Sequence, residues 1–573
     1  MVLSFASPPN NHFKESATMK IISFIPNFKL SSNQLLLLTS AYIALVLNIP
    51  FFSKVLTAVT ANQQFNLWFL LAIPIVLFCL TLIFHSFFAF RPLLKPFLIF
   101  SVTLSSLLFY ATFHYGIIFD FGMVQNTIET DTAEALSYLN IYAFGFFIVL
   151  GLIPSVLIYR SHIISTSFIK ELMSRLKLLT LTLIVLSVLV SIFYVNFASV
   201  GRNNRELTSY LTPFKLYEAT FKYGKRMLNN SSREFHLLDV KPTLTTASQQ
   251  PSVTVLVLGE TARASNFALN GYEKATNQHT SLSGMISFAN VSSCGTATAV
   301  SVPCMFSRMN QDDYDKHIAD SQQNVVDLVH LAGADVLWVD NNNGGCKGVC
   351  KRVETVLIDV NSANPLCDGE YCYDEILLES LDTKLKQLTA NNTLIVLHVM
   401  GSHGPTYFRR YPKQHRKFTP DCQRSDIQNC SQEELINTYD NTILYTDFVL
   451  SKIAAKLEKL AQTQQIDTSM LFISDHGESL GENGIYLHGL PYTFAPSEQT
   501  HIPMLFWQNS RLGKYDTNCI KDLSADEMSH DNFFDVLLGM MSIDSKVYNS
   551  AQDSLNPCRI ATTQIAGNVN NGQ

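Results

Sequence analysis

The chain has 573 residues, 47% hydrophobic and 15% charged, with 41 Lys and Arg against 47 Asp and Glu for a formal net charge of −6. It is too long for one compact core, and its charge is unevenly spread: residues 1–199 hold 10 basic and 6 acidic side chains, the remainder 31 and 41. A soluble single domain, a disordered chain and a transporter with spans throughout are excluded, and an acidic balance with no basic stripe argues against nucleic acid as a partner.

In chain order, five apolar runs come first, near 35–52, 66–84, 97–113, 140–159 and 178–195. Each approaches the roughly 20 residues a helix needs to cross the hydrocarbon core. Lys14, Lys20 and Lys29 precede the first run, Arg91 and Lys95 separate the second and third, and Arg160, Lys170, Arg175 and Lys177 separate the fourth and fifth. The alternate loops carry only Lys54, or Asp120, Glu129, Asp131 and Glu134. The positive-inside rule then gives a cytoplasmic N-terminus, a five-span domain over 1–199 and a C-terminal domain outside. The first run lacks a small-residue cleavage pattern and is expected to stay.

Residues 200–250 read as an interfacial bridge. Phe214, Tyr217, Phe221 and Tyr223 alternate with Lys215, Lys222, Lys225 and Arg226, a mix that suits lipid headgroups, although an ordinary surface helix has the same pattern. From 251 to 560, strand-like runs (Val253–Leu258, Val336–Val339, Leu394–Leu397, Met470–Ile473, Pro503–Trp507) alternate with helical stretches (Val325–Leu331, Glu375–Leu388 and one starting at the Ser431/Glu434 capping box). The expected fold is an α/β domain with a mainly parallel sheet and helices on both faces. The tail, 561–573, is polar.

Ten of the 11 cysteines follow residue 200, and Cys79 alone lies in a span. An even count in one outward domain suits disulfides. Short separations suggest Cys294–Cys304, Cys346–Cys350, Cys367–Cys372 and Cys422–Cys430, leaving Cys519–Cys558, while connectivity stays open and a zinc cluster on Cys346 and Cys350 is the rival reading.

Sites in parallel sheets gather beyond the carboxyl ends of strands. Glu260 follows the run ending at Leu258, Asp475 and His476 follow Ile473, Asp340 and Asn341 follow Val339, and His398 and His403 trail Leu397. Two carboxylates and a histidine make a donor set for Zn²⁺ or Mn²⁺ with one position open. The stretch Ser293-Cys294-Gly295-Thr296-Ala297-Thr298-Ala299 offers hydroxyls that a divalent cation would activate. A sulfatase would use Cys-x-Pro-x-Arg, but Cys304-Met305-Phe306-Ser307-Arg308 has Phe in place of Pro, so Cys304 reads as a disulfide partner.

Together, Gly259-Glu260-Thr261-Ala262-Arg263, Asn270-Gly271-Tyr272-Glu273, the 293–299 stretch, Ser301-Val302-Pro303-Cys304-Met305-Phe306-Ser307, Gly401-Ser402-His403-Gly404-Pro405 and Ser474-Asp475-His476-Gly477-Glu478-Ser479-Leu480-Gly481-Glu482-Asn483-Gly484 resemble the lipid A phosphoethanolamine transferases. These are bacterial inner-membrane enzymes of the alkaline phosphatase/sulfatase-like superfamily that include the mobile colistin-resistance proteins. The resemblance implies Thr298 as a nucleophile that becomes phosphoethanolamine-modified. It implies Glu260, Asp475, His476 and the Thr298 oxygen as a zinc shell, with Lys347, His403 and His488 handling phosphate charge, leaving-group protonation or a second, looser zinc. Asn126, Thr130 and Glu134, four residues apart and on one helix face, correspond to donor-lipid contacts. The implied donor is phosphatidylethanolamine, the acceptor lipid A, the location the inner membrane with a periplasmic catalytic domain, and a monomer is expected. The departures are the cysteine-bearing Asn342-Asn343-Gly344-Gly345-Cys346-Lys347 segment and the unmatched 201–250 bridge. The alternatives are a glycerol-phosphate transferase or phosphodiesterase of the same fold, separable by product mass, and a non-enzymatic sensor with no use for Thr298.

Overall fold

A computed structural model describes residues 28–60, 66–129, 140–164, 166–229, 234–245, 251–342, 344–388, 392–509 and 513–560. The chain divides into two compact units, one of residues 1–111 and 142–215, the other of 112–141 and 216–573. The described residues 112–129, which lead out of the third apolar run, fall in the second unit, whereas the sequence pattern groups them with the membrane domain.

Four helices among the described residues, lying wholly or mostly in the first unit, are long and apolar enough to cross a membrane: Leu67–Phe87, Arg91–Tyr115, Ile141–Arg160 and Phe168–Ile192. The first apolar run is not one straight helix: Ser32–Leu45 and Ile49–Thr60 meet at 51°. The cause is local. Pro50 has no N–H to continue the ladder, and the buried Asn48 amide donates to Ile43 O (2.9 Å) and Thr212 O (2.8 Å) while accepting from Thr212 N–H (3.0 Å). Leu36, Ile43, Leu82, Leu98 and Val102 build the interior of this unit, while Leu181, Ile184, Val188 and Ile192 stay exposed, as a helix facing lipid would. Glu171 ties the helix bases together, accepting from Arg91 Nε (2.9 Å) and Arg175 (3.2 Å).

The second unit is built on an eight-stranded sheet. Its strands are β1 (Ser252–Gly259), β2 (Ile286–Ser292), β3 (Asp335–Asp340), β4 (Glu354–Leu357), β5 (Asn392–His398), β6 (Asp467–Ser474), β7 (His501–Gln508) and β8 (Glu527–Ser529). They are ordered β8-β2-β7-β6-β1-β5-β3-β4. The sheet is mainly parallel, with β7 antiparallel to both β2 and β6. Every residue of β1 is buried, as its continuous apolar run requires of a central strand covered on both sides. One face packs Leu256, Leu258, Trp338, Val396 and Ile473 against helices that include Val325–Leu331 and His530–Met540. Along β6 on the other side runs Gln432–Gln464, whose buried Tyr439, Ile443, Leu450, Ile453 and Leu457 recur at helical spacing. The Ser431/Glu434 capping box starts it. The cysteines pair as Cys294–Cys304, Cys346–Cys350, Cys367–Cys372, Cys422–Cys430 and Cys519–Cys558, leaving Cys79 free.

Candidate active site

The site grows from two neighbouring parallel strands. Gly259 of β1 lies opposite Ser474 of β6, so Glu260 and Asp475-His476 leave the same sheet edge side by side. Above them, helix Thr298–Met305 begins with Thr298 as its first residue. Its entry turn is drawn tight by Gly295, where a Cβ would lie 3.0 Å from Ser301 N, and by the Cys294–Cys304 disulfide across the helix. Helix Phe121–Glu129 meets this element, with Gln125 Nε2 donating to Ala299 O at 3.3 Å.

Thr298 Oγ1 lies 3.1 Å from Glu260 Oε2 and 3.3 Å from His476 Nε2. His476 Nε2 is 3.5 Å from Glu260 Oε1 and 3.4 Å from Asp475 Oδ2. All four side chains are buried. His476 Nδ1–H donates to Gly477 O at 2.9 Å, which turns the Nε2 lone pair toward the carboxylates. Asp475 Oδ1 accepts from Thr261 N–H and its own neighbour His476 N–H, but Oδ2 has no hydrogen-bond partner. An unpartnered carboxylate oxygen at full burial is costly, and three converging donor atoms within 4.8 Å of one another fit a divalent cation that would satisfy it. The electrostatics agree. Burial works against the Glu260 charge, yet the imidazoles of His403 and His476 and the Thr261 hydroxyl outweigh it and hold the carboxyl low. Burial and the Glu260 charge push Asp475 up.

His403 and His488 stand beside this set, their rings 5.4 Å apart, with His488 4.5 Å from His476. His488 Nδ1 pairs with buried Glu478 at 3.2 Å, and burial raises the Glu478 carboxyl to about 8. The loop that carries His403 is pinned to the metal set: Ser402 N–H donates to Glu260 O, and Asp374 accepts from Met400 and Gly401 N–H. Gly401 has φ +54°, and a Cβ there would lie 2.6 Å from Glu260 O. Gly401→Ala is therefore expected to cost about 1–3 kcal/mol of stability, checked by denaturant unfolding.

Lys347, in the left-handed region at φ +49°, sits in the turn closed by Cys346–Cys350. The same loop sends Asn342 Nδ2 to Glu260 Oε2 at 2.7 Å, a contact its sequence did not disclose. Asp340 and His398, grouped at this edge by their sequence positions, pair instead with each other at 3.2 Å, and Asp340 also accepts from Trp338 Nε1. Asn341 donates to Asp374. Asn126 is buried on Phe121–Glu129, while Thr130, Glu134 and Asn343 lie outside the described residues.

A threonine at a helix start facing two carboxylates and a histidine, on a mainly parallel sheet in a chain that also carries apolar spans, defines a membrane-anchored enzyme of the sulfatase-like class. Residues 252–543 match the family model described as Sulfatase, and residues 76–228 match the one described as Phosphoethanolamine transferase EptA/EptB. The chain is 38% identical over 537 residues to phosphoethanolamine transferase EptA of Escherichia coli K12, covering 91% of this chain and 96% of that protein. It is 36% identical to phosphatidylethanolamine transferase Mcr-1 of E. coli over 518 residues, 88% of this chain and 94% of that one. The integral membrane lipooligosaccharide phosphoethanolamine transferase A of Neisseria meningitidis superposes with a TM-score of 0.89 at 35% identity, covering 94% of this chain and all of that one. The chain belongs to the phosphoethanolamine transferase family, and is an inner-membrane protein with a periplasmic C-terminal domain.

Proposed function

We propose that this protein transfers phosphoethanolamine from phosphatidylethanolamine to a lipid A phosphate through a covalent intermediate on Thr298, with zinc held by Glu260, Asp475, His476 and the Thr298 oxygen. The observation that carries the reading is the Thr298 hydroxyl, 3.1 Å from Glu260 and 3.3 Å from His476 at a helix N-terminus. When bound, zinc supplies positive charge that makes a hydroxyl acidic and offsets charge growing on phosphoryl oxygens.

In the first step Thr298 Oγ1 forms a bond to phosphorus and the bond from phosphorus to the glycerol oxygen breaks. The proton leaving Thr298 is balanced by one delivered to the departing diacylglycerol, a role this reading gives to His403 and His488, the latter paired with Glu478. In this reading the Thr298 and Ala299 N–H groups at the start of the helix and the Lys347 ammonium receive the non-bridging oxygens. In the second step an oxygen of a lipid A phosphate bonds to the same phosphorus, the bond to Thr298 breaks, and Thr298 regains a proton. The product carries an added ammonium, which lowers the net negative charge of the surface and its hold on cationic peptides such as polymyxin. Both lipids lie in one membrane leaflet, so anchoring the enzyme there confines the encounter to a plane.

In this reading Asn126, Thr130 and Glu134 hold the donor, with the Glu134 carboxylate meeting its ammonium, and the 200–250 segment lies at the headgroup layer. Supporting the latter, helix Phe214–Asn229 exposes Phe221, Met227 and Leu228 beside Lys222 and Lys225. Glu134→Ala is expected to raise KM for phosphatidylethanolamine about tenfold, roughly one lost charge contact. Hydrolysis of a small soluble phosphoethanolamine ester should stay unchanged, and equal loss of both activities would sink the assignment. The test of the whole reading is the mass of lipid A extracted from cells with and without the gene: a phosphoethanolamine increment is expected, and a glycerol-phosphate increment or none would overturn it.

A further inference from the structure

One buried histidine outside the metal set joins the elements that build it. His530 begins helix His530–Met540 directly after β8, which is separated from β6 by β2 and β7. The residue is 2% exposed. Nδ1 accepts from Cys294 N–H at 3.0 Å, in the turn leading to Thr298, so this nitrogen carries no proton. Nε2–H donates to Ser474 O at 3.0 Å, on the residue before Asp475. Ser301, one turn along the helix from Thr298, donates its hydroxyl to Asp475 O and sits 3.3 Å from His530 Nδ1. Ser474 Oγ in turn donates to His476 O and accepts from Ala262 N–H, next to the Glu260 segment. Burial also drives the His530 imidazole down to about 3, so the donor and acceptor ends keep their roles at any working pH.

Helix, turn and strand end thus meet on one imidazole and one hydroxyl. We propose that His530 and Ser301 form a brace that fixes Thr298 in register with Glu260, Asp475 and His476, which makes His530 a positioning residue that never touches substrate. Outer partners of this kind set ligand orientation, and their loss commonly costs about tenfold to a hundredfold in metal affinity or turnover. Small displacements of a nucleophile reach the same scale. The inference rests on the transfer reading for its catalytic half alone.

The test uses the full chain in detergent, with His530→Gln, His530→Asn, Ser301→Ala and the double variant His530→Gln/Ser301→Ala. Two quantities are measured: zinc affinity, by competition with a chromogenic chelator, and kcat and KM for phosphatidylethanolamine at saturating zinc. Each single variant is expected to lose about tenfold or more in zinc affinity and in kcat, with KM for the donor unchanged. The double variant should fall little below the weaker single one, because both substitutions break the same brace. A side chain that only stabilised the fold would lower the folded fraction and leave zinc affinity and kcat per folded molecule alone. Folded variants with wild-type affinity and kcat overturn the proposal, as does full additivity in the double variant. Should both His530 variants fail to fold, Ser301→Ala, which deletes one buried oxygen, decides by the same two measurements. A wild-type protein that binds zinc but makes no phosphoethanolamine product counts against the transfer reading, and the variants' zinc affinities still decide the brace.

Discussion

With Thr298 replaced by alanine, the protein should acquire no phosphoethanolamine mass and transfer to lipid A should fall by at least about a thousandfold, the scale seen when a nucleophile is deleted. The expectation follows from the geometry. The Thr298 hydroxyl meets Glu260 and His476 together, at 3.1 and 3.3 Å, and nothing on Ala299 or Ala297 can replace it. Folding should survive, because the loss is one hydroxyl and one methyl at the first residue of a helix whose turn is held by the Cys294–Cys304 disulfide. Thr298→Ser restores the hydroxyl but not the β-branch that limits its rotamers, so an intermediate rate is expected. Intact-protein mass spectrometry during turnover checks both. A phosphoethanolamine adduct that persists on the alanine variant would remove Thr298 from the reaction.

The parts of the fold that could be read from the residues are those with strong local signals. β1, β3, β5, β6 and β7 are continuous apolar runs because both their faces are covered, and each contains the run expected there. The strands that the residues do not announce lack this signal. β2 reads Ile-Ser-Phe-Ala-Asn-Val-Ser with Ile286, Phe288 and Val291 alone buried, which breaks the two-residue period, β4 is an exposed edge, and β8 has three residues. The reversed direction of β7 was equally invisible, since side-chain pattern carries no information on which way a strand runs. The bend at Asn48 is a third case: an apolar count over 35–52 does not reveal that one amide is held by Thr212, 164 residues away.

For the site, what was legible is the set of groups placed immediately after strands. Glu260, Asp475 and His476 share one sheet edge because Gly259 and Ser474 are in register, and the structure brings Thr298 to them. Position after a strand does not by itself separate a metal donor from a structural pair, which is why Asp340 and His398 were grouped with that set and turn out to face each other. The supporting contacts were beyond reach. Asn342 on Glu260 and His530 on Ser474 depend on loops and on the order of strands across the sheet, and no spacing in the chain records either.

Removing divalent metal should have the other large effect. Asp475 Oδ2 is buried without a hydrogen-bond partner, and Glu260, Asp475 and His476 point their donor atoms at a common space. Without a cation two carboxylates share that space, and burial together with the Glu260 charge pushes Asp475 above its usual range. A cation satisfies both and binds only the folded arrangement, so it must stabilise the fold by mass action, by about 4 kcal/mol at a thousand times its dissociation constant. Chelator-treated protein is therefore expected to unfold at lower temperature, to recover on addition of zinc in proportion to the logarithm of its concentration, and to lose and regain transfer in parallel. Asp475→Asn removes one anionic donor yet keeps the shape, so it should unfold at a temperature indifferent to zinc. Transfer in this variant should fall by about a hundredfold or more, the upper range for weakened metal binding. Full transfer by protein shown to be metal-free, or a zinc-dependent shift undiminished in Asp475→Asn, would mean that this cluster of acids and imidazole holds no ion and that Thr298 is made reactive by another route.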